Sequence, residues 1–121
     1  MKFLLDANFL MIPGQLKVDV FDQLAKFGKP ELFTISAVVR ELNTLSGGKG
    51  KDARAARLAL GMVGKKEVKV LEAEGNADSI LIGLASEGYS ICTQDKGLQA
   101  RLLEKGMGFV YLRQGKHLEK M

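Results

Sequence analysis

Five short apolar runs, separated by segments of helical periodicity, constrain how this chain can fold more than any other feature. Lys2-Phe3-Leu4-Leu5, Leu32-Phe33-Thr34-Ile35, Val68-Lys69-Val70-Leu71, Tyr89 to Thr93 and Phe109-Val110-Tyr111-Leu112 have the length and residue types of buried strands. Between them, residues 17–28 place Val18, Phe21 and Leu24 at helical spacing before Gly28, an amphipathic helix with a glycine stop. Ser36 is expected to cap a helix to about Leu45. The flexible loop Ser46-Gly47-Gly48-Lys49-Gly50 follows, then an Ala/Arg/Leu helix over 51–63 ended by Gly64. Asn76 caps a further helix that stops at Gly88, and Asp95 caps one that runs to about Glu104. The charged tail after Leu112 is read as a short turn.

Strand and helix thus alternate from end to end. That pattern predicts an α/β fold: a three-layer α/β/α sandwich around a parallel sheet of about five strands. The 121 residues are enough for one self-sufficient core, so residues 1–121 are read as a single domain. In such sheets ligands sit in the crevice beyond the carboxyl ends of the strands.

Several chemistries are poorly served by this composition. Cys92 is the single cysteine, so there is no intrachain disulfide and no thiolate zinc cluster; its apolar neighbours make it a core residue. His117, the single histidine, lies in the charged tail, and no G-x-S-x-G stands anywhere to serve a Ser-His-Asp triad. No G-x-G-x-x-G or G-x-x-x-x-G-K-[ST] follows a strand. No apolar run approaches the roughly 20 residues of a membrane span, and Asp6 and Asn8 interrupt the first apolar stretch too early for a signal peptide. A soluble cytoplasmic protein is the expectation.

The net charge of +4 is unevenly spread. Residues 49–69 hold seven Lys/Arg against two acids and residues 96–121 hold six against two, whereas residues 70–95 hold five acids and no base. Two basic segments flanking an acidic one suit a polyanion that meets a cation-binding pocket, although solvated helix faces give the same local composition.

Four acids fall where the crevice should be. Asp6 closes the first strand, Asp95 lies two residues after the fourth, Asp78 sits in the first turn of the helix capped by Asn76, and Glu41 lies at the edge of the buried face of the helix after strand two. Three have ordinary structural roles as well: Asp95 is a good N-cap, Asp78 complements a helix dipole, and Glu41 can be a solvated helix residue. Asp6 has no such account, because a carboxylate ending a central strand is costly without a cation or donors. Brought together, the four would repel one another strongly. Mg²⁺ or Mn²⁺ is the natural counter-ion, being a hard cation that prefers oxygen ligands and able to activate water and hold a phosphate. Lys49, Lys51, Arg54 and Arg57 are candidate phosphate contacts; Arg54 and Arg57 are neighbours on one helix face.

Leu5-Asp6-Ala7-Asn8, Arg40-Glu41-Leu42, Asn76-Ala77-Asp78-Ser79-Ile80 and Thr93-Gln94-Asp95, in that order and spacing along the chain, resemble the PIN-domain nucleases. The resemblance implies a 5′-nuclease-like fold and Mg²⁺- or Mn²⁺-dependent cleavage of RNA. It implies that Asp6, Glu41, Asp78 and Asp95 bind metal and do catalysis, with Asn8 and Thr93 supporting them by hydrogen bonds. A second acid two residues after the last aspartate is common in the family; here that residue is Gly97, which leaves the number of metal ions open. Asp6-Ala7-Asn8-Phe9, the Gly/Lys-rich loop and the tail from Val110 look most like small archaeal relatives of the rRNA-processing PIN endonuclease of the small-subunit processome, whose substrate is an rRNA precursor. The alternatives are the toxin ribonuclease of a toxin–antitoxin pair, with an antitoxin as partner, and a catalytically weak RNA-binding module. Family members are often dimers, so a homodimer is a further expectation.

Overall fold

The computed structural model describes all of residues 1–121. Six strands form one sheet in the order β3-β2-β1-β4-β5-β6: β1 (Lys2–Leu5), β2 (Glu31–Ile35), β3 (Lys69–Leu71), β4 (Ser90–Cys92), β5 (Val110–Arg113) and β6 (His117–Lys120). The first five are mutually parallel, and β6 returns antiparallel to β5 with Leu112 opposite Leu118. Seven helices connect or cover them: α1 (Ala7–Leu10), α2 (Ile12–Leu16), α3 (Val20–Ala25), α4 (Ser36–Ser46), α5 (Lys51–Lys65), α6 (Ala77–Ala85) and α7 (Lys96–Glu104). No helix is long and apolar enough to cross a membrane.

The central strand explains the layering. Successive side chains of a strand point to opposite faces, yet Phe3, Leu4 and Leu5 are all fully buried. Both faces of β1 are therefore covered, which a parallel sheet requires. A core of 28 buried apolar residues runs through β1, β2, β4, β5 and the inner faces of the helices. On the α4–α5 side, α2 lies so close to α5 that a Cβ at Gly14 would stand 2.6 Å from the Cα of Ala55.

The structure departs from the sequence expectation at four places. The tail is the edge strand β6 rather than a turn, and Gln23 of α3 holds it: its amide donates to the Lys116 carbonyl at 2.9 Å and accepts from the Leu118 N–H at 2.8 Å. Residues 7–16 form two short helices, and the helix expected over 17–28 is confined to Val20–Ala25. Lys17 adopts a left-handed conformation (φ 56°) that ends α2, and the Asp19 side chain caps α3 by accepting from the Asp22 N–H. Ser36 is not a cap but the first residue of α4. Finally, α5 continues through Gly64 to Lys65, since glycine costs a helix interior only about 1 kcal/mol.

The strand order reverses between β1 and β4. The chain leaves β1 towards β2 and β3, then crosses back to β4 and β5. The carboxyl ends of these two central strands therefore border the topological switch point, the place where an open α/β sheet leaves a crevice.

Candidate active site

Asp6 follows β1 at that point. Its N–H continues the strand ladder to the Cys92 carbonyl at 3.0 Å, and its side chain is turned back to cap α1: Oδ1 accepts from the Ala7 N–H at 2.8 Å. Oδ2 accepts from the Thr93 hydroxyl at 2.8 Å and the Asn8 amide at 3.1 Å. With 8% exposure, the carboxylate is nearly enclosed. Burial raises its pKa above the ordinary 3.8; the hydrogen bonds from Thr93, Ala7 and Asn8 pull the other way, and the Asp78 charge raises it further. Three donors thus offset only part of the desolvation cost, and no Lys or Arg lies within 4 Å of Asp6.

The donors form a connected frame. Thr93, wholly buried just past β4, pairs its N–H with the Val110 carbonyl, and its hydroxyl oxygen accepts from the Asp95 N–H at 3.1 Å. Asn8 spans the switch point, donating to Asp6 and accepting from the Gln94 N–H at 2.8 Å. Two further members are not evident from motifs. The Gln94 amide accepts from the Leu112 N–H at 2.6 Å and donates to the Leu112 carbonyl at 3.1 Å, extending the pairing of β4 with β5 by a side chain. The buried Gln99 amide donates to the Thr93 carbonyl at 2.8 Å. Gln99 carries a readable signal, since an amide on the face of α7 that buries Leu98 and Leu102 must have a partner. Gln94, between two polar residues, carries none.

The other acids arrive on three helices. Glu41, exposed on α4, has its pKa raised above the ordinary 4.5 by partial burial and by the charges of Asp6 and Asp78. Asp78 lies in the first turn of α6, whose start is set by Asn76 accepting from the Ser79 N–H at 3.1 Å. The preceding loop is fixed by Ser36, whose hydroxyl donates to the Ala73 carbonyl and accepts from the Ala73 N–H. Asp6, Glu41 and Asp78 therefore share one electrostatic field. Asp95 is the N-cap of α7: its Oδ1 accepts from the Leu98 N–H at 3.0 Å, and its own N–H donates to the Thr93 hydroxyl that holds Asp6. A Cβ at Gly97 would lie 3.3 Å from Oδ1 of Asp95, so a longer side chain there would crowd the cap.

The donor set matches a hard divalent cation in kind. Each candidate ligand is a carboxylate, and the buried one has no cationic partner on the protein. No three His, Cys, Asp or Glu side chains lie close enough together to grip one ion directly. A divalent ion held here would therefore keep part of its water shell, with the carboxylates acting directly or through those waters.

The basic set lies elsewhere. Helix α4, which carries Glu41 at its middle, ends at Ser46, and the loop holding Lys49 and the start of α5 follow it. Lys49, Lys51 and Arg54 are exposed and within 4 Å of no carboxylate. Arg57 differs: its guanidinium donates to the Ser46 carbonyl at 2.6 Å, closing the last turn of α4.

The class of protein is thus an open α/β sheet with a buried carboxylate at its switch point and further acids on flanking helices. The sequence matches the PIN-like domain family over residues 3–115, and the chain belongs to that family. It is 34% identical over 115 residues to Ribonuclease VapC9 of Archaeoglobus fulgidus, covering 93% of this chain and 84% of that protein. It is 31% identical over 127 residues to Ribonuclease VapC4 of Methanocaldococcus jannaschii, covering 98% and 95%. Among solved structures, the PIN domain endonuclease Utp24 superposes with a TM-score of 0.79 over 99% of this chain and 92% of that one, at 22% identity, a likeness of fold.

Proposed function

We propose that this protein is a metal-dependent endoribonuclease that hydrolyses RNA phosphodiester bonds at the Asp6 pocket. The observation that carries the reading is the Asp6 carboxylate, buried at the switch point, held by three donors and paired with no cation. Both sequence relatives named above are ribonucleases. Asp6, Glu41, Asp78 and, from the rim, Asp95 would hold Mg²⁺ or Mn²⁺, through waters where the carboxylates do not reach. Such an ion supplies a water of lowered pKa and charge stabilisation at the phosphate. The chain itself contributes orientation. Thr93, Asn8 and the Ala7 N–H lock the Asp6 carboxylate in one rotamer, Gln94 and Gln99 lock the Thr93 segment, and Ser36 sets the loop that presents Asp78. Lys49, Lys51 and Arg54 would hold backbone phosphates at a distance from the scissile bond.

Two biological settings fit this chemistry. Maturation of an rRNA precursor is supported by the resemblance of the Asp6–Phe9 stretch, the Gly/Lys loop and the tail to the processome branch. The toxin of a toxin–antitoxin pair, with an antitoxin as partner, is supported by the relatives at 34% and 31% identity, which share the name Ribonuclease VapC. Cleavage of structured and single-stranded RNA in Mn²⁺, with and without EDTA, tests the activity. Wild type is expected to cleave only with metal, and Asp6→Asn not at all; cleavage that persists in EDTA or in Asp6→Asn rules the mechanism out. Induced expression with translation as the readout separates the settings: arrest that needs Asp6 supports the toxin, whereas unaffected translation with altered rRNA ends supports maturation.

A further inference from the structure

One cationic side chain is paired with an acid of the pocket. Of 18 Lys and Arg residues, two lie within 4 Å of a carboxylate: Arg113, paired with Glu119 on the adjacent strand, and Arg101, whose Nη1 stands 3.8 Å from Oδ2 of Asp78. Arg101 lies on α7, six residues beyond the cap Asp95, and reaches across to the first turn of α6. The pair is loose and its side chains are 49% and 40% exposed. An exposed ion pair of that kind contributes little to stability. It is therefore not what docks α6 and α7, whose Leu81, Ile82, Leu98 and Leu102 are buried in the core. A guanidinium held so weakly can leave at little cost. It is also the side chain best shaped for phosphate, since its fork donates two parallel hydrogen bonds where an ammonium offers a point charge. A polyanion approaching Asp6, Glu41 and Asp78 would meet repulsion from all three, and Arg101 is placed to relieve it on the α6–α7 side.

We propose that Arg101 is a substrate-contacting residue: its guanidinium passes from Asp78 to a backbone phosphate of the bound RNA strand. This role rests on the ribonuclease reading of the pocket. It is separate from the Lys49, Lys51 and Arg54 set, which lies on the loop after α4 and the first turn of α5.

Binding of a fluorescent single-stranded RNA, followed by anisotropy in EDTA so that no cleavage occurs, tests it. Arg101→Gln should bind about fivefold more weakly, with the slope of log Kd against log salt reduced by about 0.7, the value for one phosphate contact on a single strand. Arg101→Lys should fall between Arg101→Gln and wild type. Lys29→Gln, just before the amino end of β2, and Lys105→Gln, the C-cap one turn beyond Arg101, are the controls for general charge loss. Asp78→Asn should tighten binding, and by less in the Arg101→Gln background, because part of the gain is release of Arg101. An Arg101→Gln loss no larger than that of Lys29→Gln or of Lys105→Gln, or equal Asp78→Asn gains in the two backgrounds, overturns the proposal and leaves the ribonuclease reading standing. Wild type that neither binds nor cleaves RNA overturns both. Arg101→Gln is expected to melt with wild type; should it melt several degrees earlier, Arg101→Lys decides, weaker binding at an unchanged melting temperature supporting the role and unchanged binding refuting it.

Discussion

The Thr93 hydroxyl, just past β4, donates at 2.8 Å to Oδ2 of Asp6, just past β1, joining residues 87 apart in sequence. The Thr93 hydroxyl oxygen also accepts the Asp95 N–H, so one side chain orients the pocket's buried carboxylate and the start of α7 together. Thr93→Val keeps the shape and removes both bonds. It should cost about 1–3 kcal/mol, the usual penalty for orphaned buried polar groups, and lower cleavage by leaving Asp6 free to rotate. Thr93→Ser should recover most of both. Urea unfolding beside single-turnover cleavage checks this; a Val variant of wild-type stability would mean that the hydrogen bond contributes nothing net.

Glu41 should trade stability for function. Its folded pKa lies above the ordinary 4.5, through partial burial and the charges of Asp6 and Asp78. A group with a raised folded pKa binds more protons folded than unfolded, so stability falls as pH rises through that window. Asp6 acts in the same direction from 3.8 upward. In EDTA, Glu41→Gln is thus expected to melt at or above the wild-type temperature at pH 7, with the difference vanishing towards pH 4; with metal present it is expected to lose cleavage. Melting curves across pH decide, and a Gln variant less stable at pH 7 than at pH 4 relative to wild type contradicts the shared field.

Metal should stabilise the fold through the same charges. A ligand present at about 100 times its Kd adds roughly 2.7 kcal/mol, so Mn²⁺ should raise the melting temperature of wild type by several degrees and that of Asp6→Asn by much less. Calorimetric titration gives the stoichiometry directly, and one ion rather than two is the outcome that Gly97 favours. An equal shift in both proteins would place the bound metal elsewhere.

Arg57 and the Lys49, Lys51, Arg54 group should separate on mutation. Arg57→Ala removes the donor to the Ser46 carbonyl and should lower stability by about 0.5–1.5 kcal/mol. Charge reversal of Lys49, Lys51 and Arg54 should leave stability within about 0.5 kcal/mol while weakening RNA binding and flattening its salt dependence. Denaturation and binding isotherms on both variants test the division; identical behaviour would merge the four residues into one surface.

Gly14 is a packing test independent of function. A Cβ there would press on the Ala55 backbone, so Gly14→Val should force α2 off α5 at about 1–3 kcal/mol. Chemical denaturation checks it, and a neutral effect would mean that the two helices can part freely.

Sequence alone determined the layer architecture and the acids at its rim. Alternating apolar runs and helices imply a covered parallel sheet because a strand buried on both faces must read as continuous Phe-Leu-Leu, and the strand-end position of Asp6 is visible in that reading. The tail was not legible: His117 to Lys120 is short and charged, and it becomes a strand because β5 offers an open edge and Gln23 closes the outer side of β6. Ser36 looked like a cap because its type and place suit one, and its bond to Ala73 depends on a loop 37 residues away. The ranking of the four acids also belongs to the tertiary structure. Periodicity places a carboxylate on a helix, but whether its charge reaches Asp6 depends on how that helix docks, as it does for Asp78, while Asp95 caps the start of α7.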